Sequence, residues 1–117
     1  MNESDLKKTC EDYLTYLMNL GKLWFSRLNA GDFIDIRGDS RRRIKGVEKG
    51  TADLVVIMLD THYIKHCRVI FIELKSGKGR WAPEQRAFKI IIEAQGAEYH
   101  IVRNFEELER IISQGKD

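Results

Sequence analysis

The chain has 117 residues, 43% hydrophobic and 32% charged, with a net charge of +2 from 20 basic and 18 acidic side chains. This balance excludes a disordered chain and leaves a globular one, of a length that fits a single domain over residues 1–117. No apolar run approaches the roughly 20 residues of a membrane-spanning helix.

In chain order, three- and four-residue spacing of Leu6, Cys10, Tyr13, Leu14, Leu17 and Met18 predicts a helix over residues 3–20. Ser4 is its expected N-cap and Gly21 its expected stop. Residues 23–28 read as a short strand. The segment 29–49 is polar, glycine-containing and basic, with one further strand expected near Phe33–Arg37. Leu54–Leu59 and Arg68–Leu74 are short apolar runs rich in Val and Ile, and read as adjacent antiparallel strands. A glycine-rich loop spans 76–81. Pro83 suits the first turn of a helix whose apolar face is Phe88, Ile91 and Ile92, and Gly96 ends it. Glu98–Val102 reads as a strand. Asn104 is expected to cap a last helix with Leu108, Ile111 and Ile112 inward. The expected fold class is therefore α/β, a central mixed sheet of four or five strands flanked by helices.

Charge is distributed unevenly. Arg37, Arg41, Arg42, Arg43, Lys45 and Lys49 crowd one segment against Asp39 and Glu48, a pattern suited to phosphate backbones. The two central strands carry the chemistry. Asp53 stands at the mouth of the first, and Glu73 and Lys75 at the end of the second. Side chains two apart on a strand share a face, and in an antiparallel hairpin the start of one strand lies beside the end of the other. Two carboxylates and one ammonium thus meet at one edge of the sheet. Such carboxylates repel unless a cation sits between them. A hard ion such as Mg²⁺ would accept them, with the backbone carbonyl of Leu74 as a further oxygen. Taken alone, Glu73-Leu74-Lys75 is also an ordinary exposed strand end.

The combination of motifs is more specific. Gly50-Thr51-Ala52-Asp53-Leu54, Ile72-Glu73-Leu74-Lys75-Ser76 and Gly79-Arg80-Trp81-Ala82-Pro83-Glu84-Gln85 continue through Gly96-Ala97 and Ile101-Val102 to the helix at Phe105–Leu108. Together they resemble the VRR-NUC domain of the PD-(D/E)XK nuclease superfamily, in its stand-alone phage or bacterial form. Glu3-Ser4-Asp5-Leu6 with Tyr13-Leu14 resembles that family's first helix, and Arg27-x-Asn29-x-Gly31 a strand and turn after it. The resemblance implies a restriction-endonuclease-like core and Mg²⁺- or Mn²⁺-dependent hydrolysis of DNA phosphodiesters. Branched or four-way-junction substrates in replication, repair or recombination are the expected targets. It implies Asp53 and Glu73 as metal-binding acids, Lys75 as the catalytic lysine, Gln85 as a residue holding the site, and Glu3 as a supporting acid. Ala52 departs from the proline usual before the first acid.

Arg41, Arg42, Arg43, Lys45, Lys78 and Arg80 are the expected DNA contacts. Glu11, about two turns beyond Glu3, competes with it for the first-helix role. His62, His66 and Cys67 lack zinc-ligand spacing, and Gly77-Lys78-Gly79-Arg80 lacks the phosphate-loop string. Trp81 suits either base stacking or packing beside Pro83. Cys10 reads as a core residue. It and Cys67 read as free thiols of a reducing compartment, expected to be the cytoplasm of a bacterium or a phage-infected cell. No signal-like segment opens the chain. A homodimer is expected by analogy, with the region of Tyr16 and Trp24 as its apolar surface. Two rival readings are a non-catalytic nucleic-acid-binding module and a restriction-type enzyme. For the latter the chain is short of room for a base-reading subdomain.

Overall fold

The computed structural model describes residues 2–28, 32–37, 40–45, 50–60 and 66–114, the two segments between 32 and 45 by their backbone alone. In chain order the elements are α1 (Glu3–Asn19), β1 (Trp24–Arg27), β2 (Asp32–Arg37), β3 (Ser40–Lys45), β4 (Leu54–Leu59), β5 (Cys67–Leu74), α2 (Pro83–Ala94), β6 (Glu98–Val102) and α3 (Phe105–Ser113). A mixed four-stranded sheet runs in the order β1-β4-β5-β6. β1–β4 and β4–β5 are antiparallel and β5–β6 parallel. The parallel pair follows from α2, because a crossover helix returns the chain to the same end of the sheet. The α/β class with a mixed sheet is therefore as expected.

Strand alternation divides the interior. Leu54, Val56, Ile70, Ile72, Leu74 and Val102 line one face and close against Leu6, Cys10 and Leu14 of α1 and Leu108, Ile111 and Ile112 of α3. Burial pushes the Cys10 thiol up to about 11, helped by the charge of Glu11, so this cysteine is an inert core group. The other face holds Phe71 against Phe88 of α2, edge to face at 5.1 Å, with Tyr99 and Trp81 beside them. Among the described residues no helix is long and apolar enough to cross a membrane.

Three local expectations change. Asn2, not Ser4, caps α1: its side chain accepts from the Asp5 N–H at 2.8 Å. Asn is as good a cap as Ser, and starting earlier extends the helix. The basic segment holds two strands rather than one, since β2 and β3 pair antiparallel from Asp32–Lys45 to Arg37–Ser40 as a separate sheet. Among the described elements they contact only each other. Ile91 is exposed, as is Ile90, because three consecutive isoleucines step around a helix by about 100° each and cannot share one face.

At the start of β5 and β6 lies an ion pair between a buried arginine and a partly buried glutamate. Arg68 donates to both carboxylate oxygens of Glu98, at 2.7 and 2.8 Å, and to the backbone carbonyls of Ile111 and Gln114 at the end of α3. His100 Nε2 lies 3.0 Å from the same carboxylate. Burial alone would raise the Glu98 carboxyl, but the hydrogen bonds from Arg68 and His100 and their charges outweigh it, holding the group down at about 2.

Candidate metal-binding site

The opposite end of the same strands is built differently. The β4–β5 register pairs Leu54 with Ile72, which sets Asp53 beside Glu73. Asp53 ties three strands together. Its N–H donates to the Ile72 carbonyl at 3.0 Å, and its own carbonyl accepts from Leu28 N–H at 2.8 Å. Its side-chain Oδ2 accepts from Leu74 N–H at 2.7 Å. Those bonds fix the carboxylate's orientation before any ligand arrives. Lys75 follows β5, anchored by its N–H to the Val102 carbonyl at 3.1 Å, and its Nζ stands 3.8 Å from Glu73 Oε2.

Gln85 reaches the site from the first turn of α2. Its Oε1 accepts from Ala82 N–H at 2.9 Å, half of a capping box, which turns its amide NH₂ outward to hydrogen-bond Glu73. Gly50 makes room for this helix. It has φ +90, and a Cβ there would lie 2.6 Å from Glu84 Cβ and 2.8 Å from the Glu84 carbonyl carbon.

Glu73 carries the electrostatic strain. Burial and the neighbouring Asp53 charge, with a further push from Glu3, raise its carboxyl to about 7 against the opposing pull of Lys75 and Gln85. One ammonium at 3.8 Å therefore does not balance the site. The same field distinguishes the first-helix acids. Glu3 reaches Glu73, whereas Glu11 is committed to Arg27 at 2.6 Å.

Of the five residues nominated from sequence, Asp53, Glu73, Lys75 and Gln85 are thus brought together, with the Leu74 carbonyl on the same strand end, while Glu3 acts on Glu73 through its charge without joining the cluster. Lys78 and Arg80 are exposed on the loop after β5. Arg41, Arg42, Arg43 and Lys45 lie on β3, described by its backbone alone. His66 and Cys67 are exposed at the start of β5, and His62 lies outside the described residues. Trp81 packs at 5.9 Å from the Tyr99 ring, with the Arg86 guanidinium 6.0 Å from its own centroid.

Among the described residues no three His, Cys, Asp or Glu side chains gather into a cluster that could hold a metal ion. A cation at this site would rest on the two carboxylates and retain much of its water. That donor set, hard oxygens with few protein ligands, fits Mg²⁺ or Mn²⁺ and does not fit zinc.

Three contributors escape a reading of the sequence. Arg103 donates to the carbonyls of Gly77 and Gly79 at 2.9 and 2.8 Å, holding the loop beside Lys75. Gly79 leaves space for Lys75 itself, since a Cβ there would stand 3.3 Å from two of its side-chain carbons. Tyr99 is the third. Burial first, and then the charges of Glu73 and Asp53, raise its hydroxyl, so it remains a protonated donor. Comparison with protein-family models, curated proteins and solved structures returns no match for this chain.

Proposed function

We propose that the chain is a Mg²⁺- or Mn²⁺-dependent nuclease hydrolysing DNA phosphodiesters, with a VRR-NUC-like, restriction-endonuclease-like core. The observation that carries this reading is the convergence of Asp53 and Glu73 in adjacent strands, with the Lys75 ammonium 3.8 Å from Glu73. When bound, the metal supplies a Lewis acid that polarises the phosphate and lowers the pKa of a water. Asp53, Glu73 and the Leu74 carbonyl would hold it. Lys75 orients the attacking water and offsets the negative charge that develops on phosphorus. Gln85 fixes the Glu73 carboxylate, and Glu3 adds negative charge at the mouth. Water's oxygen bonds to phosphorus as the water gives up a proton to solvent, the bond to the leaving sugar oxygen breaks, and that oxygen takes a proton back from solvent, so the step is proton-neutral.

Lys78, Arg80 and the basic β3 residues Arg41, Arg42, Arg43 and Lys45 supply contacts to DNA phosphates. Branched or four-way-junction DNA is the proposed substrate, in replication, repair or recombination inside a bacterial or phage-infected cell. Cutting both strands of a junction calls for two copies, and exposed Tyr16, Leu20 and Trp24 offer apolar surface for a homodimer. Sedimentation at micromolar concentration should show a dimer; a monomer alone would remove this part.

The test is a panel of duplex, flap and four-way-junction DNA incubated with Mg²⁺, Mn²⁺ or EDTA. Cleavage with either ion and none in EDTA is expected. Asp53→Ala and Lys75→Ala should each abolish cutting while DNA binding persists. Binding without cleavage by the unaltered protein would favour the non-catalytic nucleic-acid-binding reading. Discrete fragments from plasmid DNA would favour a restriction-type enzyme.

A further inference from the structure

Tyr99 is 3% exposed, and its hydroxyl is buried with no hydrogen-bond partner among the described residues. It stands on β6 opposite Phe71. Phe71 and Glu73 are two apart on β5, so Tyr99 and Glu73 share a face of the sheet. The ring is already fixed by Trp81 at 5.9 Å and Phe88 at 6.0 Å. A phenylalanine would fill that space equally well, so packing does not explain the oxygen. Buried hydroxyls are normally satisfied by protein or by ordered water. The charged groups whose field reaches this one are the carboxylates of Glu73 and Asp53.

We propose that Tyr99 is a positioning residue of the acidic site, its hydroxyl donating to a water held between itself and the Glu73 carboxylate. Gln85 holds that carboxylate from α2, and Tyr99 holds it from β6, so that it meets a divalent cation already oriented. The water accounts for the hydroxyl having no direct partner among the described residues. The inference deepens the cation-binding reading above and rests on it.

The experiment is calorimetric titration of Mn²⁺ into the whole chain and into Tyr99→Phe at pH 8 without DNA, with melting temperatures recorded in EDTA. Supporting residues around a metal typically alter affinity by about 10- to 100-fold. The Tyr99→Phe dissociation constant for Mn²⁺ should rise within that range. Its melting temperature in EDTA should be unchanged or higher, because no protein hydrogen bond is lost. In cleavage assays kcat should fall while KM for DNA stays constant. Equal Mn²⁺ affinity in both proteins overturns the role of Tyr99 and leaves the cation site standing. Weakened affinity accompanied by a large drop in melting temperature also overturns it, as general loosening. If the unaltered chain binds no Mn²⁺, the cation site itself fails.

Discussion

Glu98 at the start of β6 and Glu73 near the end of β5 are both partly buried on neighbouring strands, yet their surroundings push them in opposite directions. At one end Arg68 and His100 hold Glu98 at about 2. At the other, burial and Asp53 lift Glu73 to about 7. From Arg68 to Glu73 is five residues along one strand, about 16 Å. The first end is closed, with its charges matched and its hydrogen bonds made, and it ties α3 to the sheet. The second end keeps Asp53, Glu73 and Glu3 against Lys75 and leaves a deficit of positive charge. A buried group that destabilises the fold is a candidate for function, whereas a satisfied one is a candidate for stability.

The largest expected effect separates the two ends outright. Asp53→Ala should reduce DNA cleavage by at least about 10³-fold, and Lys75→Ala by about 10²–10³-fold, read as initial rates. Arg68→Ala should do the reverse. It leaves Glu98 without its main partner and should cost about 3 kcal/mol in urea denaturation, with the cleavage rate per folded molecule retained.

The next effect is in pH. Glu73 rises from 4.5 to about 7 on folding, so the folded chain holds its proton longer than the unfolded one. Its contribution to stability is present below pH 4.5 and is lost as pH rises to about 7, by about 3 kcal/mol in EDTA. Saturating Mn²⁺ should erase that decline. Glu98 falls from 4.5 to about 2, so its contribution is present above pH 4.5 and is lost as pH falls towards 2. Its side chain is 30% exposed, and its share should be smaller than that of Glu73. Urea denaturation in EDTA across pH 3–8 checks both slopes. The smallest effect is Arg103→Ala, which frees two loop carbonyls and should cost about 1 kcal/mol in the same measurement.

Much of this contrast is legible before folding. Two apolar runs too short for helices give β4 and β5, and their antiparallel pairing already places Asp53 beside Glu73. What pairing alone leaves open is the choice between Glu3 and Glu11, because both lie near one helix face. Only the packing of α1 against β1 commits Glu11 to Arg27. β3 is harder to see, because Ser-Arg-Arg-Arg-Ile-Lys has no apolar alternation to announce a strand. Tyr99 lies on a short strand where an aromatic reads as core, and nothing local reveals an unpartnered oxygen. Arg68 sits at the edge of an apolar run, and its partners arrive from residues 30 to 46 positions away.

The most direct measurement is Mn²⁺ affinity at pH 8 and pH 6, for the unaltered chain and for Glu73→Gln. With the Glu73 carboxyl near 7, affinity should weaken about tenfold between the two pH values and collapse in Glu73→Gln. An affinity that is the same at both pH values and indifferent to Glu73→Gln would show that the open end of the sheet is not a cation site.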